Sequence, residues 1–523
     1  MKNNNNVPLY IGIAVAIGIL IGSILNFANR PGTIFSKSAE AAKIKRLIDY
    51  IQYDYVDEVD TDYLLDGAIN HVVSKLDPHS VYFTKEELEQ ENEQFEGNFV
   101  GIGVQFVMNK DSVVITKILK GGPSENLGMK PSDRILLANN DSLSNAKLNS
   151  NQVIKILKGE PDTNVNLTIY RPISSEVLEF SLSRGDVPLK SISAHYMLNE
   201  EIGFIKIDRF AKTTYDEFKE ALDNLIAIGM KELVLDFRDN PGGFMNIANK
   251  IADEFLEDGK LIVFTKNKKG DIEEDFATEE GSFEKGHVYI LMNENSASAS
   301  EIVAGALQDN DKGTIIGRRS FGKGLVQQTM GLGDGSAVRL TIARYYTPTG
   351  RSIQKPYDLN HSEEYYEQFS KRFENGELMF ADSIKVNDSL KFTTPKGKVV
   401  YGGGGIVPDV FVPIDTTQYI ENRYLIGLNR FSFDYVDQHR EELKNWTVES
   451  FIHEFDADGE ITNKYLNGID ADDFLIPNHK MEIIKKAIKA SIAQSLFDDN
   501  EFNQVILAND KMLGKVVELE NSK

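Results

Sequence analysis

The chain has 523 residues, of which 41% are hydrophobic and 26% charged, so it can bury several cores and is not disordered as a whole. Its 57 basic against 80 acidic residues give a formal net charge of -23, which disfavours nucleic acid and anionic lipid surfaces as partners. It contains no cysteine, which excludes disulfides, thiolate metal sites and a cysteine nucleophile.

The first predicted element is an uncharged apolar stretch over residues 7–27. It is long enough to cross a bilayer, which takes about 20 residues, so we expect a retained single-pass transmembrane anchor. The alternative is a cleaved secretory signal, with a candidate cleavage site at residues 38–41. Orientation is ambiguous, because basic residues flank the stretch on both sides, at Lys2, Arg30, Lys37, Lys43 and Lys45.

The sequence pattern of the rest of the chain changes three times. Apolar residues at three- and four-residue spacing predict helices up to about residue 85, and short apolar runs between glycines and asparagines then predict a β-rich domain. Strands that alternate with helices follow, and the acidic, aromatic end contains a predicted helix, residues 481–496. The predicted fold class is therefore a multidomain α/β protein with α+β parts. Its domains are a transmembrane anchor (7–27), a helical domain (38–95), the β-rich domain (96–185), a mixed-sheet α/β core (186–414) and a helical carboxyl-terminal region (415–523).

One motif, Asn-Ser-Ala-Ser-Ala-Ser-Glu at residues 295–301, lies between a predicted strand and a predicted helix. Ser298 would sit at the amino end of that helix, where free N–H groups and the helix dipole stabilise an anionic oxygen. The spacing of Ser298 and Glu301 also fits a capping box, in which the serine only caps the helix. From this motif alone the cap is the commoner explanation.

A second motif, Ser-Phe-Gly-Lys-Gly-Leu-Val-Gln at residues 320–327, places Lys323 between two glycines. Phe321, Leu325 and Val326 could keep water from its amine. Desolvation lowers the pKa of a lysine toward neutrality, where the amine can accept a proton from a serine hydroxyl. A solvent-exposed turn lysine is the alternative that this motif alone leaves open.

Together the two motifs resemble the carboxyl-terminal processing peptidases, serine enzymes with a Ser/Lys dyad and an embedded PDZ domain. The resemblance extends over residues 45–413 and includes the segments 76–80 and 404–409. It implies that Ser298 is the nucleophile, Lys323 its base and Gln327 a residue that orients the lysine. It also implies that the enzyme needs no metal and no organic cofactor.

The segment Leu-Asp-Phe-Arg-Asp-Asn-Pro-Gly-Gly, residues 235–243, resembles a strand-to-turn segment of the same family. In that family a glycine N–H of this segment joins the residue after the nucleophile to form an oxyanion hole. The resemblance therefore implies that Ala299 donates together with Gly242 or Gly243, of which Gly243 is preferred.

The β-rich domain resembles a PDZ domain, in which Gly101, Ile102, Gly103 and Val104 match the loop that receives a peptide carboxylate. Consecutive N–H groups hold a terminal carboxylate there while the peptide adds as an extra strand. An ordinary β-turn is the alternative. The sequence departs from the family at Ser132, where glycine is usual, and we expect this serine to alter a turn.

Other candidate sites are weaker. His195 and His287 invite a Ser/His/Asp triad, but neither lies in a motif. Glu454 and the aspartates after it imitate the start of a calcium-binding loop, yet Tyr465 stands where the bidentate glutamate should be. We therefore predict no metal site.

These observations predict a serine endopeptidase that recognises the carboxyl-terminal tails of other proteins and cleaves them through an acyl-enzyme. The resemblance places it in the inner membrane of a bacterium, with the catalytic region facing the periplasm or the exterior. The alternative is a non-catalytic PDZ adaptor that presents tails to another protease or chaperone, although an adaptor needs neither Ser298 nor Lys323. Two roles stay open for the last hundred or so residues, packing onto the core and an interface in a homo-oligomer.

Overall fold

The computed structural model describes residues 39–523, apart from 110–111, 145–147, 279–280, 359–364, 366 and 470–475. The chain divides after Val72 into an amino-terminal unit and a larger unit that holds every predicted site residue. The amino-terminal unit is helical where it is described, with α1 (Ala39–Asp54) and most of α2 (Thr61–Val73).

The predicted fold class needs one correction, which concerns the transmembrane helix. The stretch assigned to it, residues 7–27, lies outside the described residues. Within the part of the chain that is described, no helix has the length and apolar surface needed to cross a bilayer. Even the helix Asn478–Leu496, 19 residues long, carries Lys480, Glu482 and three further lysines, and one charge at the bilayer centre costs about 3 kcal/mol. The fold is therefore described as multidomain α/β without that element.

A β-rich module, residues 98–188, begins the main part of the larger unit. Its principal sheet has the order β3-β4-β5-β7-β8, with β6 beside β5, and β2 pairs separately with β9. Strand β3 is thus an edge strand. The elements up to the end of the module are β1 (Val81–Phe83), α3 (Lys85–Glu96), β2 (Asn98–Gly101), β3 (Val104–Asn109), β4 (Ser112–Ile118), β5 (Arg134–Ala138), β6 (Asp141–Ser142), α4 (Ser150–Leu157), β7 (Asn164–Arg171), β8 (Glu176–Ser183) and β9 (Gly185–Pro188).

The central sheet of the next region has the order β10-β11-β12-β15-β16-β21. Strand β10 is antiparallel to β11, and the following neighbours are parallel. Alternate side chains of a strand point to opposite faces, and both faces of this sheet are apolar and buried. The elements are β10 (Ile192–Met197), β11 (Ile202–Ile207), α5 (Thr214–Ala227), β12 (Glu232–Asp236), α6 (Met245–Asp253), β13 (Leu261–Asn267), β14 (Ile272–Phe276), β15 (Val288–Met292), α7 (Ala299–Asp309) and β16 (Gly313–Gly317).

An antiparallel sheet lies beside the central one and contains the end of the motif at residues 320–327, which carries Lys323. Strand β18 is the longest strand of this sheet and pairs with β1, β13 and β17. The elements are β17 (Leu325–Gly331), β18 (Ala337–Tyr346), α8 (Gln368–Glu374), β19 (Lys391–Thr393), β20 (Val399–Tyr401) and β21 (Val410–Phe411), with short 3-10 helices at Glu125–Leu127, Ala381–Ser383, Asp388–Leu390, Thr416–Gln418 and Asn422–Tyr424.

The carboxyl-terminal region packs onto the rest of the larger unit. Its last helix covers one face of the central sheet, where Leu513 and Val516 join the core formed by Phe204, Val234 and Tyr289. The preceding helices enclose a separate core around Phe451 and further apolar side chains. The helices are α9 (Leu428–Gln438), α10 (Arg440–Leu443), α11 (Val448–Glu454), α12 (Gly459–Gly468), α13 (Asn478–Leu496), α14 (Asp499–Ile506) and α15 (Lys511–Asn521).

Candidate active site

Three loops that carry predicted site residues meet at one edge of the central sheet. They follow β12, β15 and β16, which are parallel neighbours: Asp236 pairs with Leu291, and Met292 pairs with Gly317. Because the carboxyl ends of parallel strands lie at the same edge, the loops that leave them converge. In order, the loops carry Gly242 and Gly243, then Ser298, then Lys323.

The loops line a cleft of about 830 Å³, a size typical of ligand sites. Ser298, Lys323 and Gln327 line it together with Gly242 and Gly243. We call this cavity the cleft. The structure thus brings the predicted nucleophile, base and orienting residue into one cavity with both candidate glycines, while the side chain of Ala299, beside Ser298, is fully buried.

Ser298 has an unusual backbone conformation. Its φ is 56° and its ψ is -113°, a region that costs a non-glycine residue about 1–3 kcal/mol. The capping box considered from the sequence is present, and the Ser298 N–H donates to the Glu301 carboxylate at 2.9 Å. The strained residue lies at the turn between β15 and α7, where it belongs to the capping box and also lines the cleft.

The environment of Lys323 favours a neutral amine. Desolvation, and to a smaller extent the positive charge of Arg339, lower the pKa of Lys323 to about 8, against the opposing effect of the carboxylates of Glu301 and Asp77. The side chain is only partly exposed. An amine with this pKa is neutral in a substantial fraction of molecules near pH 7 to 8, as a general base requires.

Glu301 ties the nucleophile loop to the base loop. Its fully buried carboxylate accepts hydrogen bonds from the Ser298 N–H at 2.9 Å, the Gly322 N–H at 2.8 Å and the Lys323 N–H at 2.9 Å, and also from the Ser320 hydroxyl. Burial raises the pKa of Glu301, and these donors oppose the rise. One carboxylate therefore fixes both backbones, which the capping-box pattern did not suggest.

Tyr345 of β18 makes a second link between the same two loops. Its hydroxyl lies 2.6 Å from the Lys323 carbonyl oxygen and 3.1 Å from the Ser298 carbonyl oxygen. The residue is 1% exposed, and buried hydrogen bonds of this kind restrain geometry strongly. No sequence motif singles out Tyr345, because its partners lie on other elements.

The two candidate glycines differ in the state of their N–H groups. The Gly242 N–H donates to the Asn240 side-chain oxygen at 2.8 Å. The N–H groups of Gly243 and Ala299, by contrast, have no acceptor among the hydrogen bonds of the described residues. Gly243 has a φ of 146°, and a Cβ there would lie 2.2 Å from the Phe210 carbonyl oxygen, so only glycine fits.

Gln327 contacts the segment before the β-rich module. Its side-chain N–H donates to the His79 carbonyl oxygen, which orients the amide; among the described residues it has no hydrogen bond to Lys323. Burial, with a smaller effect of the Lys323 charge, lowers the pKa of His79 to about 4. His79 is therefore neutral near pH 7, and its ring nitrogen lies 2.6 Å from the Tyr365 hydroxyl.

The two histidines of the alternative triad lie elsewhere. His195 is exposed on β10, and the His287 ring nitrogen lies 2.9 Å from the Thr314 hydroxyl. Neither lines the cleft. The acidic turn that imitates a calcium loop caps a helix instead, since the Asp458 carboxylate accepts from the N–H groups of Glu460 and Ile461.

A second cavity, of about 650 Å³, lies in the β-rich module. We call it the module groove. Gly101, Ile102, Gly103 and Val104 line it where β2 leads into β3, and α4 forms the opposite side. Gln94 of α3 lines both this groove and the cleft, so the two cavities are neighbours.

Models of known families match four parts of the chain. Residues 201–359 match peptidase family S41, and residues 100–183 match the PDZ domain. Residues 27–87 match the amino-terminal domain of the activating protease CtpB, and residues 427–498 match a family of unknown function, DUF8443. The β-rich module is thus a PDZ domain.

Two bacterial proteases are similar to this chain over much of their length. A probable CtpA-like serine protease of Staphylococcus aureus (strain N315) is 34% identical over 359 residues, which cover 68% of this chain and 71% of that protein. The carboxy-terminal processing protease CtpB of Bacillus subtilis (strain 168) is 34% identical over 317 residues, which cover 60% of this chain and 65% of that protein. Among solved structures, the photosystem II D1 C-terminal processing protease is 24% identical, covers 71% of this chain and 86% of its own, and has a TM-score of 0.36.

Proposed function

Because this chain belongs to peptidase family S41 and is a serine peptidase of the carboxyl-terminal processing type, we propose that Ser298 and Lys323 are its catalytic dyad. We further propose that the PDZ domain binds the tails of the proteins that the cleft cleaves. The observation that carries the dyad is the partly buried Lys323, whose pKa is lowered to about 8, in the same cleft as Ser298.

In the proposed reaction the neutral Lys323 amine takes the hydroxyl proton of Ser298, and the Ser298 oxygen attacks the peptide carbonyl carbon. The tetrahedral intermediate then collapses as the C–N bond breaks, and the Lys323 ammonium gives its proton to the leaving amine. Water, deprotonated by the same amine, attacks the resulting ester and frees Ser298. Base catalysis of this kind supplies about 10²–10⁴-fold in rate.

The oxyanion of the intermediate needs N–H donors that are not already engaged. The N–H groups of Gly243 and Ala299 have no acceptor within the described part of the chain, which supports these two as the donors, whereas the Gly242 N–H is held by Asn240. Gly242 has a steric role instead, because a Cβ at this position would lie 2.8 Å from the Ser298 Cβ and 2.9 Å from the Ala299 nitrogen. A single donor of this type is worth about 10²–10³-fold in rate.

Tail binding is supported by the position and shape of the module groove. A peptide that adds to the edge strand β3 would place its terminal carboxylate at Gly101–Val104. The shared residue Gln94 connects this groove to the cleft. A tail held in the groove thus raises the local concentration of the upstream chain near Ser298. The location of the enzyme outside the cytoplasmic membrane stays a prediction.

The dyad is tested by cleavage of an unstructured protein such as casein. We expect Ser298→Ala and Lys323→Ala each to lower kcat/KM by at least about 10³-fold. Lys312→Met is the matched control, because burial also lowers the pKa of Lys312 to about 8, yet its amine donates to carbonyl oxygens of Phe283 and Glu284 outside the cleft. Cleavage that survives either alanine variant would show that another group does the chemistry.

A further inference from the structure

The module groove has a wall that does not come from the PDZ domain. Besides β3 and α4, residues of the carboxyl-terminal region line it. They lie on α9, at the end of α13 and at the start of α14, and they are Asn429, Phe433, Gln494, Ser495 and Asp499. A ligand in this groove would therefore contact two separate parts of the chain.

Polar contacts hold the carboxyl-terminal region against the PDZ domain beside the groove. The Lys117 amine of β4 lies 2.6 Å from the Asp498 carboxylate, and the amine of Lys190, which follows the domain, lies 3.3 Å from it. At a second point the Ser132 hydroxyl donates to the Asp437 carboxylate. Ser132 has a φ of 77°, a conformation that normally favours glycine, so the serine that departs from the family pattern supplies a contact that glycine cannot make.

The two walls differ in chemistry. The PDZ side presents Ile102, Ile154 and Leu157, whereas the carboxyl-terminal side presents one aromatic ring, a hydroxyl, two amide groups and the Asp499 carboxylate. Gln494 donates to that carboxylate at 2.7 Å, but within the described residues no lysine or arginine pairs with it.

The other charged groups of the groove are already paired. The Lys158 amine lies 2.6 Å from the Glu93 carboxylate, and Lys117 is paired with Asp498. Asp499 is therefore the groove carboxylate that lacks a basic partner in the described structure, and it attracts a cation.

The geometry of an added strand decides which tail residue meets Asp499. Successive side chains of a strand point to opposite faces. If the last residue of the tail places its side chain in the apolar wall, the residue before it points to the other wall. This step rests on the proposed binding of tails by the PDZ domain.

We propose that the carboxyl-terminal region is the second wall of the tail-binding site and that Asp499 selects tails with lysine or arginine before an apolar last residue. This assigns a role in substrate selection to the region that matches DUF8443 and to the helix that follows it. The ligand is a free protein carboxyl terminus, held at one end by backbone N–H groups and at the next side chain by charge.

The test measures binding of fluorescent peptides to the full chain carrying Ser298→Ala, which prevents cleavage. The peptides end in leucine, carry lysine, glutamine or glutamate at the penultimate position, and have either a free or an amidated carboxyl end. We expect the lysine peptide to bind about tenfold more tightly than the glutamate peptide. Asp499→Asn should remove most of this difference, and Asp499→Lys should invert it.

Asp456→Asn is the matched control, because Asp456 is an exposed carboxylate of the same region that does not line the groove. It should keep the wild-type preference. If free and amidated peptides bind equally, the proposed tail binding itself fails. If the free carboxylate matters but the Asp499 variants keep the wild-type preference, tail binding stands and the selection by Asp499 is overturned. Asp499→Asn keeps the size and shape of the side chain in the first turn of α14. It therefore tests the proposal even if Asp499→Lys does not fold.

Discussion

The cleft and the module groove are neighbouring cavities built in opposite ways. In the cleft, the loops that carry Ser298 and Lys323 leave one sheet edge and are tied together by the fully buried Glu301 carboxylate and by Tyr345, which is 1% exposed. The groove is bounded by two regions that meet through ion pairs such as Lys117–Asp498, whose side chains are 30% and 25% exposed. Buried charge-assisted hydrogen bonds hold atoms firmly, whereas partly exposed ion pairs contribute little to stability.

This difference fits the two proposed tasks, which are cleavage of a peptide bond in the cleft and binding of a tail in the module groove. Bond cleavage requires atoms held within fractions of an ångström, since a shift of about 1 Å can cost 10²-fold in rate. The proposed recognition of many tails would tolerate small movements between the groove walls. Changes in the cleft should therefore cost far more than changes between the groove walls, and the following four changes test this order.

Gly242→Ala should cause the largest loss. A Cβ at Gly242 would lie 2.8 Å from both the Ala297 carbonyl oxygen and the Ser298 Cβ, and 2.9 Å from the Ala299 nitrogen. Ser298 and the Ala299 N–H must both shift, so we expect kcat/KM for casein to fall by about 10³-fold or more. Gly229→Ala is the matched control, because Gly229 has the same φ of 101° but open space around it. Equal losses in both variants would assign the effect to backbone strain rather than to crowding of the nucleophile.

Glu301→Gln should have the next largest effect. The amide keeps the shape but offers one acceptor oxygen and an NH₂ group to four donors, so at least one donor is left facing another donor. We expect kcat to fall by about 10²-fold with KM little changed, and the free energy of unfolding to fall by about 2 kcal/mol. Steady-state kinetics and thermal unfolding measure the two effects, with the exposed Glu273→Gln on β14 as control. A change in KM alone would show that Glu301 does not position the dyad.

Arg339→Gln should shift the pH profile rather than abolish activity. Desolvation and then the Arg339 charge lower the pKa of Lys323 to about 8. Because only the neutral amine is a base, kcat/KM should rise with pH through about 8 in the wild type. Loss of the Arg339 charge raises the Lys323 pKa, so the midpoint should move up by roughly half a pH unit.

Two controls separate charge from packing at this position. Arg339→Lys keeps the charge and should keep the midpoint, and Arg344→Gln removes an exposed arginine of the same strand. Activity of Arg339→Gln should approach that of the wild type well above pH 9, where Lys323 is neutral in both proteins. A uniform loss at every pH would instead indicate damage to the packing of Arg339 against Phe83 and Phe95.

Some residues of the candidate site can be predicted from the sequence alone, and others cannot. The proposed dyad of Ser298 and Lys323 is recognisable because its signals are local: a serine between a strand and a helix, and a lysine between glycines. Glu301 is visible in the sequence only as a helix cap, since three of its four donors, at Ser320, Gly322 and Lys323, lie on a different loop. Tyr345 carries no local signal at all.

Contacts between distant segments are the other feature that the sequence does not predict. No pattern in residues 415–523 indicates that α15 covers the central sheet or that Asp499 lines the module groove, because these contacts join segments that are hundreds of residues apart. The departure at Ser132 is visible in the sequence, but its partner Asp437 is not. Composition and motifs thus indicate the chemistry of the cleft, while the second wall of the groove required the structure.

The smallest effect should come from the ion pair between the groove walls. Lys117→Met removes one partner of Asp498, while Lys190 remains 3.3 Å from the carboxylate. A pair this exposed is worth about 0.5–1 kcal/mol, so the Kd of a free-carboxyl peptide should rise only about two- to fivefold. Cleavage of a short amidated peptide, which depends on the cleft alone, should not change.

Salt and pH identify the origin of that small effect. Raising NaCl to 0.5 M should weaken tail binding of the wild type more than that of Lys117→Met, because salt screens the pair. Burial alone would raise the pKa of Asp498, but hydrogen bonds from Lys117 and the Asp499 N–H lower it to about 2. The pair is therefore complete above the ordinary carboxyl pKa and is lost only as pH falls through about 2, so between pH 5 and 9 the effect should be constant. A loss of tail binding as large as the loss of rate in Glu301→Gln would mean that the groove walls are as firmly fixed as the cleft.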